Sequence, residues 1–248
     1  MAIAPEDHAL AAELATEAGE LLVALRARNE DMARWRLGDT GDWEAHKLLV
    51  SRLAAERPDD AVLSEEGVED PARLRAARVW IVDPLDGTRE FSEIPRTDWA
   101  VHVALVIAGA PAAGAVALPA RGMTLASWPA PVLPPPVEGP PRMVVSRSRP
   151  PHQAEMVAGA LGARRIPLGS AGAKAMAVVL GDADIYVHAG GQYEWDSAAP
   201  VAVAQAAGLH TSRLDGSPLV YNRVDPYLPD LLICRPELAD PILRLTAR

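Results

Sequence analysis

The stretch WIVDPLDGTREF, Trp80 to Phe91, begins as an apolar run suited to a β-strand and stops at Asp83. Pro84 follows, then a second aspartate, Asp86, then Gly87 and Thr88. Along an extended strand, positions two apart share a face and positions three apart do not. Asp83 and Asp86 therefore converge only if the chain turns between them. Pro84 fixes φ and cannot continue a sheet ladder, so it supports such a turn. Gly87 allows close backbone approach, and Thr88 can open a helix. The N–H groups of Asp86, Gly87 and Thr88 would then face outward at a helix N-terminus, where phosphate binds readily. The competing reading is a plain turn, with Asp86 as a helix cap. This stretch alone leaves both open.

Working outward, Pro5 to about Arg28 carries Leu and Ala at helical spacing, with Pro5 in the first turn. A second helix is predicted from about Trp43 to Arg57, ended by Pro58. DAVLSEE reads as a short strand ending at Glu65 and Glu66. After Phe91, the run from Asp98 to Trp128 breaks into short apolar pieces at Gly and Pro, as antiparallel strands do. Pro129 to Arg142 is proline-rich and marks a domain boundary. The second half alternates: strand RMVVS, helix HQAEMVAGALG, extended RRIPLG, helix AKAMAVVLG, strand ADIYVH, helix DSAAPVAVAQAAG, strand YLPDLLICR and helix PELADPILRLTAR. Two units follow: 1–135, α+β with an antiparallel sheet and metal-binding loops, and 136–248, α/β with a substrate pocket.

The 248 residues are 49% hydrophobic and 23% charged, ordinary for a globular chain. A single cysteine, Cys234, excludes an intrachain disulfide and fits a reducing compartment. No run reaches membrane-spanning length and the N-terminus lacks the pattern of a secretion signal, so a cytoplasmic protein with no membrane partner is expected. The net charge of −9 disfavours polymeric nucleic acid. Small anionic substrates stay open, because bound cations reverse the local sign.

Acidic residues sit at element ends: Glu65 and Glu66, Asp83 and Asp86, and Asp196 in EWDSAAP before a helix. Several carboxylates from separate loops suit hard cations such as Mg²⁺. The alternating aspartates of a calcium loop are missing. The six histidines show no paired metal spacing and are expected to be structural or exposed, with His188 a candidate for the pocket wall. Cys234 in an apolar strand reads as core.

DPLDGTREF, SEE and WDSAA together resemble the inositol monophosphatase family of Mg²⁺-dependent, lithium-sensitive phosphatases. Asp83, Pro84, Leu85, Asp86, Gly87, Thr88 and Phe91 satisfy its first signature; Trp195, Asp196, Ala198 and Ala199 satisfy its second. GSAGAK through WDSAAP is most similar to the CysQ branch of 3′(2′),5′-bisphosphate nucleotidases. The resemblance implies an α/β (α+β) fold, a layered α-β-α-β-α sandwich, and often a homodimer. It implies two to three Mg²⁺ ions, with Mn²⁺ able to substitute and Li⁺ inhibitory. Glu65, Asp83 and the Leu85 carbonyl would hold one ion, and Asp83, Asp86 and Asp196 a second. A third, weaker ion would touch Glu65. Thr88 and Asp42 would activate the attacking water, with Asp39 as the alternative to Asp42, and no covalent intermediate is implied. Asp86, Gly87, Thr88 and Asp196 would also meet the substrate phosphate.

Inositol phosphatases usually carry a glutamate seven positions before the WD aspartate; here that position is Ala189. By the same resemblance, Ser170 and Lys174 stand where nucleotidases contact nucleotide, with Ser146 and Arg149 opposite. The expected small-molecule substrate is adenosine 3′,5′-bisphosphate or its sulfated relative, cut at the 3′-phosphate. The alternatives are an inositol-1-phosphate or fructose-1,6-bisphosphate phosphatase and, from another class, a non-catalytic metal or nucleotide sensor.

Overall fold

The computed structural model describes residues 3–246. Two long helices, α1 (Pro5–Arg28) and α2 (Arg34–Glu56), lie on the outer face of a first sheet. Its strands are β1 (Ala61–Ser64), β2 (Arg78–Asp86), β3 (Ala100–Ile107), β4 (Ala110–Leu118) and β5 (Met123–Ala126), paired in that order. β1 runs parallel to β2, and the other neighbours are antiparallel. A five-residue helix, α3 (Thr88–Ser92), follows β2 directly. The second half supplies β6 (Arg142–Ser146), α4 (His152–Leu161), β7 (Arg164–Leu168), α5 (Ala171–Val179), β8 (Ile185–Tyr193), α6 (Glu194–Ala206), β9 (His210–Ser212), β10 (Tyr227–Cys234) and α7 (Pro236–Thr246). Its sheet has the order β7-β6-β8-β10-β9.

Three hydrophobic clusters separate the layers. Leu14, Leu49 and their neighbours on α1 and α2 pack on Trp80, Val82 and Val103 of the first sheet. α5 and α6 lie between the sheets, where Met176 and Val203 meet Ile81, Ala104, Tyr186 and Ile233. α4 and α7 cover the far face of the second sheet, through Val157 and Ile242. The predicted α-β-α-β-α sandwich is therefore the observed architecture. Because helices cover both faces of the first sheet, β3 (AVHVALVI) is buried along nearly its whole length and reads as continuous apolar sequence. Residues 127–141, which include most of the proline-rich segment, form neither helix nor strand and join the sheets. Among the described residues no helix is long and apolar enough to cross a membrane.

Three local expectations need correction. First, α2 begins at Arg34, nine residues before the predicted start. Gly38, Asp39, Thr40, Gly41 and Asp42 are weak helix formers, and their run reads as a loop. The two glycines serve packing instead: a Cβ at Gly41 would sit 2.9 Å from Phe91, and one at Gly38 would sit 2.7 Å from the Thr88 methyl. Second, β2 does not end at Pro84. Asp83 pairs with His102 and Asp86 with Ala100, so Pro84 and Leu85 share the place opposite Val101. The feature is a β-bulge within the strand, not a turn after it. Third, β8 does not stop at His188, where the predicted strand ADIYVH ended, but continues through AGGQ to Tyr193, with an irregularity opposite Leu228 and Asp230. β9 was not anticipated.

Candidate active site

The β2 bulge turns Asp83 and Asp86 to a common side, and the first turn of α6 brings Asp196 to them. Carboxylate oxygens of these three residues lie within 4.8 Å of one another. Asp83 Oδ1 accepts the Leu85 N–H at 3.1 Å, which satisfies the amide the bulge sets free. Asp196 Oδ2 accepts the Tyr193 N–H at 2.7 Å and so caps α6. Its neighbour Trp195 packs against the inter-sheet core and stacks on Tyr193 at 4.9 Å.

Asp86 is the most heavily bonded of the three. Its oxygens accept the Ser170 hydroxyl, the Ala171 N–H at 3.1 Å and the Gly172 N–H at 2.6 Å. The carboxylate thus occupies the N-terminus of α5. Gly87, with φ +87°, starts α3 in the left-handed region, and a Cβ there would lie 3.1 Å from Ser170. Glycine is required on both counts. Phe91 anchors the short helix by an edge contact to Trp99 at 5.0 Å, both rings fully buried.

The charges in this cluster are unequal. Burial, then Glu65, Asp86, Asp196 and Asp42, hold the Asp83 carboxyl well above its usual range. Burial and the charge of Asp86 push Asp196 up to about 7. For Asp86 burial acts upward, but His102, Ser170 and Lys174 outweigh it and bring it to about 2. A crowded set of carboxyls around one firmly ionised member has an excess of negative charge for a cation to offset.

Asp42 lies in the interior of α2, not at its start, and is buried. It accepts a hydrogen bond from Thr88 Oγ1 at 3.4 Å. Burial, then Glu65 and Glu66, push its carboxyl up to about 8. Asp39 is exposed. Glu65, just after β1, is exposed as a residue, yet its carboxyl stands beside Asp83, outside the trio. Partial removal from water, then Asp86 and Glu66, push it up to about 7.

The specificity candidates are dispersed. Ser170 caps α5 by accepting the Ala173 N–H at 2.9 Å and also binds Asp86. Lys174 is buried, with its ammonium on the carbonyls of Gly169 and Ser170 and 5.4 Å above the Tyr186 ring. Burial pulls its pKa down. Ser146 accepts the Arg149 N–H at 3.2 Å. The Arg149 side chain is exposed and has no ion pair or hydrogen bond among the described residues, whereas Arg147 binds Glu90 and Glu93 at 2.5 and 2.8 Å. Ala189 packs with the outer cluster of the second sheet, so the inner face of β8 here carries Tyr186 and His188.

Sequence reasoning missed His102. It is fully buried on β3, opposite Asp83 in the ladder and 3.2 Å from Asp86 Oδ2. The available signal was one polar residue in an apolar strand, and reading it required the β2–β3 register. Gly172 was missed too: a Cβ there would run into the His102 ring.

The inositol monophosphatase family profile matches residues 9–239. A protein of Mycobacterium leprae named 3′-phosphoadenosine 5′-phosphate phosphatase is 55% identical over 250 residues, covering 96% of this chain and 92% of that one. The 3′(2′),5′-bisphosphate nucleotidase CysQ of Escherichia coli K12 is 32% identical, covering 75% and 80%. The crystal structure of CysQ from Bacteroides thetaiotaomicron superposes with a TM-score of 0.76 at 26% identity, covering 93% and 97%.

Proposed function

We propose that this chain, which belongs to the inositol monophosphatase family, hydrolyses the 3′-phosphate of adenosine 3′,5′-bisphosphate to give AMP and phosphate. The observation that carries this reading is the convergence of Asp83, Asp86 and Asp196 beside the Asp42–Thr88 pair. Relatives named for action on 3′-phosphoadenosine 5′-phosphate supply the substrate.

The cluster fits divalent cations. Its donors are all carboxylate oxygens, the choice of hard ions such as Mg²⁺ and Mn²⁺, and, beyond burial, crowding raises the pKa of Asp83 and Asp196, a repulsion that a bound cation would relieve. Glu65, Asp83 and the Leu85 carbonyl would hold one ion, and Asp83, Asp86 and Asp196 another. Such ions supply positive charge that offsets the phosphate dianion and eases ionisation of water. Li⁺ would inhibit by taking one of these places.

The chain's own residues do the rest. Asp42, poised near neutral pH, takes the proton of the attacking water through the Thr88 hydroxyl. Amides at Gly87 and Thr88 hold phosphate oxygens in line for attack. No nucleophilic side chain is called on: Cys234 is buried, and burial pushes its thiol up to about 12. Lys174 uses two N–H donors on backbone carbonyls and keeps a third for the non-scissile phosphate. Exposed Arg149, beside Ser146, is free to meet the same group. The lone, buried thiol also suits a reducing cytoplasm.

The deciding experiment compares kcat/KM with Mg²⁺ on adenosine 3′,5′-bisphosphate, inositol 1-phosphate and fructose 1,6-bisphosphate. The nucleotide should be preferred. Equal or better turnover of inositol phosphate would overturn the nucleotide assignment, and nucleotide binding without phosphate release would favour a sensor.

A further inference from the structure

We infer that His102 is a positioning residue: its buried imidazole ties Asp86 on β2 to the first turn of α6 and thereby fixes the spacing of Asp86 and Asp196. The inference rests on the reading that these carboxylates hold divalent cations.

The ring has no exposed surface. Nδ1 lies 3.0 Å from the carbonyl oxygen of Trp195, the residue just before Asp196, and a carbonyl can only accept. Nε2 lies 3.2 Å from Asp86 Oδ2. Asp83 Oδ2 is also near, 3.9 Å from Nδ1. One rigid ring therefore spans from the bulged strand to the α6 N-terminus, elements joined by no backbone hydrogen bond among the described residues. It presents a nitrogen at each end, at the separation set by an imidazole.

The opposite wall is built to fit. Gly172 brings its N–H to the same Asp86 oxygen at 2.6 Å, and only the lack of a Cβ leaves room for His102 Nε2. Asp86 Oδ2 thus accepts hydrogen bonds from Ser170 and Gly172 on α5, while His102 Nε2 stands 3.2 Å away on the β3 side without the alignment of a hydrogen bond. A carboxylate bonded on one side and backed by a fixed ring on the other cannot swing, so its remaining coordination direction is preset. Asp196 is located through its own chain neighbour, Trp195. Groups that orient metal ligands in this way typically change metal affinity or activity by about 10–100-fold when removed.

The test uses His102→Phe, which fills the volume and has no donor; His102→Gln, which can restore one link; and Gly172→Ala, which pushes on the ring. Mg²⁺ binding is measured by calorimetry on the whole protein, and melting temperature is measured in EDTA and in Mg²⁺. His102→Phe and Gly172→Ala should weaken Mg²⁺ binding about 10–100-fold, with His102→Gln between them and wild type. The stabilisation by Mg²⁺ should shrink in the same order, and kcat should fall more than KM changes. Variants that bind Mg²⁺ like wild type while melting lower by the same amount in both buffers would overturn the inference. So would wild-type protein that binds no Mg²⁺. Wild-type binding without phosphate release would instead sink the phosphatase reading, leaving His102 to be decided by the calorimetry.

Discussion

Thr88 Oγ1 stands 3.4 Å from Asp42 Oδ1 and 3.2 Å from the Leu85 carbonyl oxygen, so one hydroxyl connects α2 with the β2 bulge. It has a single proton and two acceptors. An Asp42 carboxyl pushed up to about 8 can exchange a proton through that hydroxyl near neutral pH. Asp42→Asn should lower kcat by about 10²–10⁴-fold with little change in KM. Thr88→Ala should act in the same direction, and Thr88→Ser should keep most activity. Asp39→Asn, at an exposed position, should stay within a few-fold of wild type. Phosphate release at saturating Mg²⁺ reads all four. An Asp42→Asn enzyme with normal kcat would remove Asp42 from the mechanism.

Stability without metal should fall as pH rises. Asp42, Glu65 and Asp196 are pushed up to about 8, 7 and 7, burial being the first cause in each. An unfolded carboxyl titrates near 4. Between the two values the fold holds more protons than the unfolded chain, so stability is lost on the way up and the penalty is complete above about 8. Over the window from pH 6.5 to 8.5 His102, which burial pulls down but Asp86 raises above its ordinary value, also loses its proton and acts in the same direction. In EDTA the melting temperature should drop by several degrees across the window. Mg²⁺, which binds the deprotonated cluster, should restore more at pH 8.5 than at 6.5. A melting temperature in EDTA that climbs through this window would contradict the assigned crowding.

Asp83→Asn separates stability from function. Asp83 is fully buried among four other acids, so its charge is the most costly in the site. Asparagine keeps an acceptor for the Leu85 N–H and removes the charge. The variant should melt a few degrees higher than wild type in EDTA at pH 8. It should also lose at least about 100-fold in kcat, since a ligand should matter no less than the groups that orient it. Lower stability in EDTA would show that Asp83 has a structural role the charge argument omits.

The layered fold and the three clustered carboxylates were legible because each left a local trace. Apolar runs bounded by Gly and Pro marked the strands, Asp83 and Asp86 flank the conspicuous Pro84, and Asp196 lies in the first turn of α6. What escaped depends on distant contacts. Gly38 and Gly41 lower helix propensity, so α2 seemed to begin late; the reason for them is the approach of Phe91, Leu85 and Thr88, dozens of residues away. Pro84 suggested a turn because a proline breaks a ladder, yet a bulge opposite Val101 accommodates it. Lys174 gave no sign in sequence of its burial, which depends on the α5 N-terminus, where its ammonium meets the carbonyls of Gly169 and Ser170. His102 became readable only with strand register in hand.

The helix glycines give a last prediction, because propensity and packing oppose one another there. Alanine is favoured over glycine in a helix interior by about 1 kcal/mol. At Gly41 the added methyl would lie 2.9 Å from Phe91 Cε1 and 3.0 Å from Leu85 Cδ2, in a closed core. Overpacking of that kind costs about 1–3 kcal/mol, so Gly41→Ala should be neutral at best and more often destabilising. At Gly38 the methyl meets only the Thr88 methyl, at 2.7 Å, with the Thr88 carbonyl oxygen next at 3.7 Å. Thr88 begins a short helix and can shift by a few tenths of an ångström, so Gly38→Ala should keep its melting temperature close to wild type. The shift moves the hydroxyl off Asp42, and small misplacements at a reacting centre cost up to about 100-fold in rate. Gly38→Ala should therefore fold normally and lose about 10-fold in kcat, read by thermal unfolding and phosphate release on the same preparation. Full activity in Gly38→Ala would mean that the 3.4 Å contact between Thr88 and Asp42 does not set the rate.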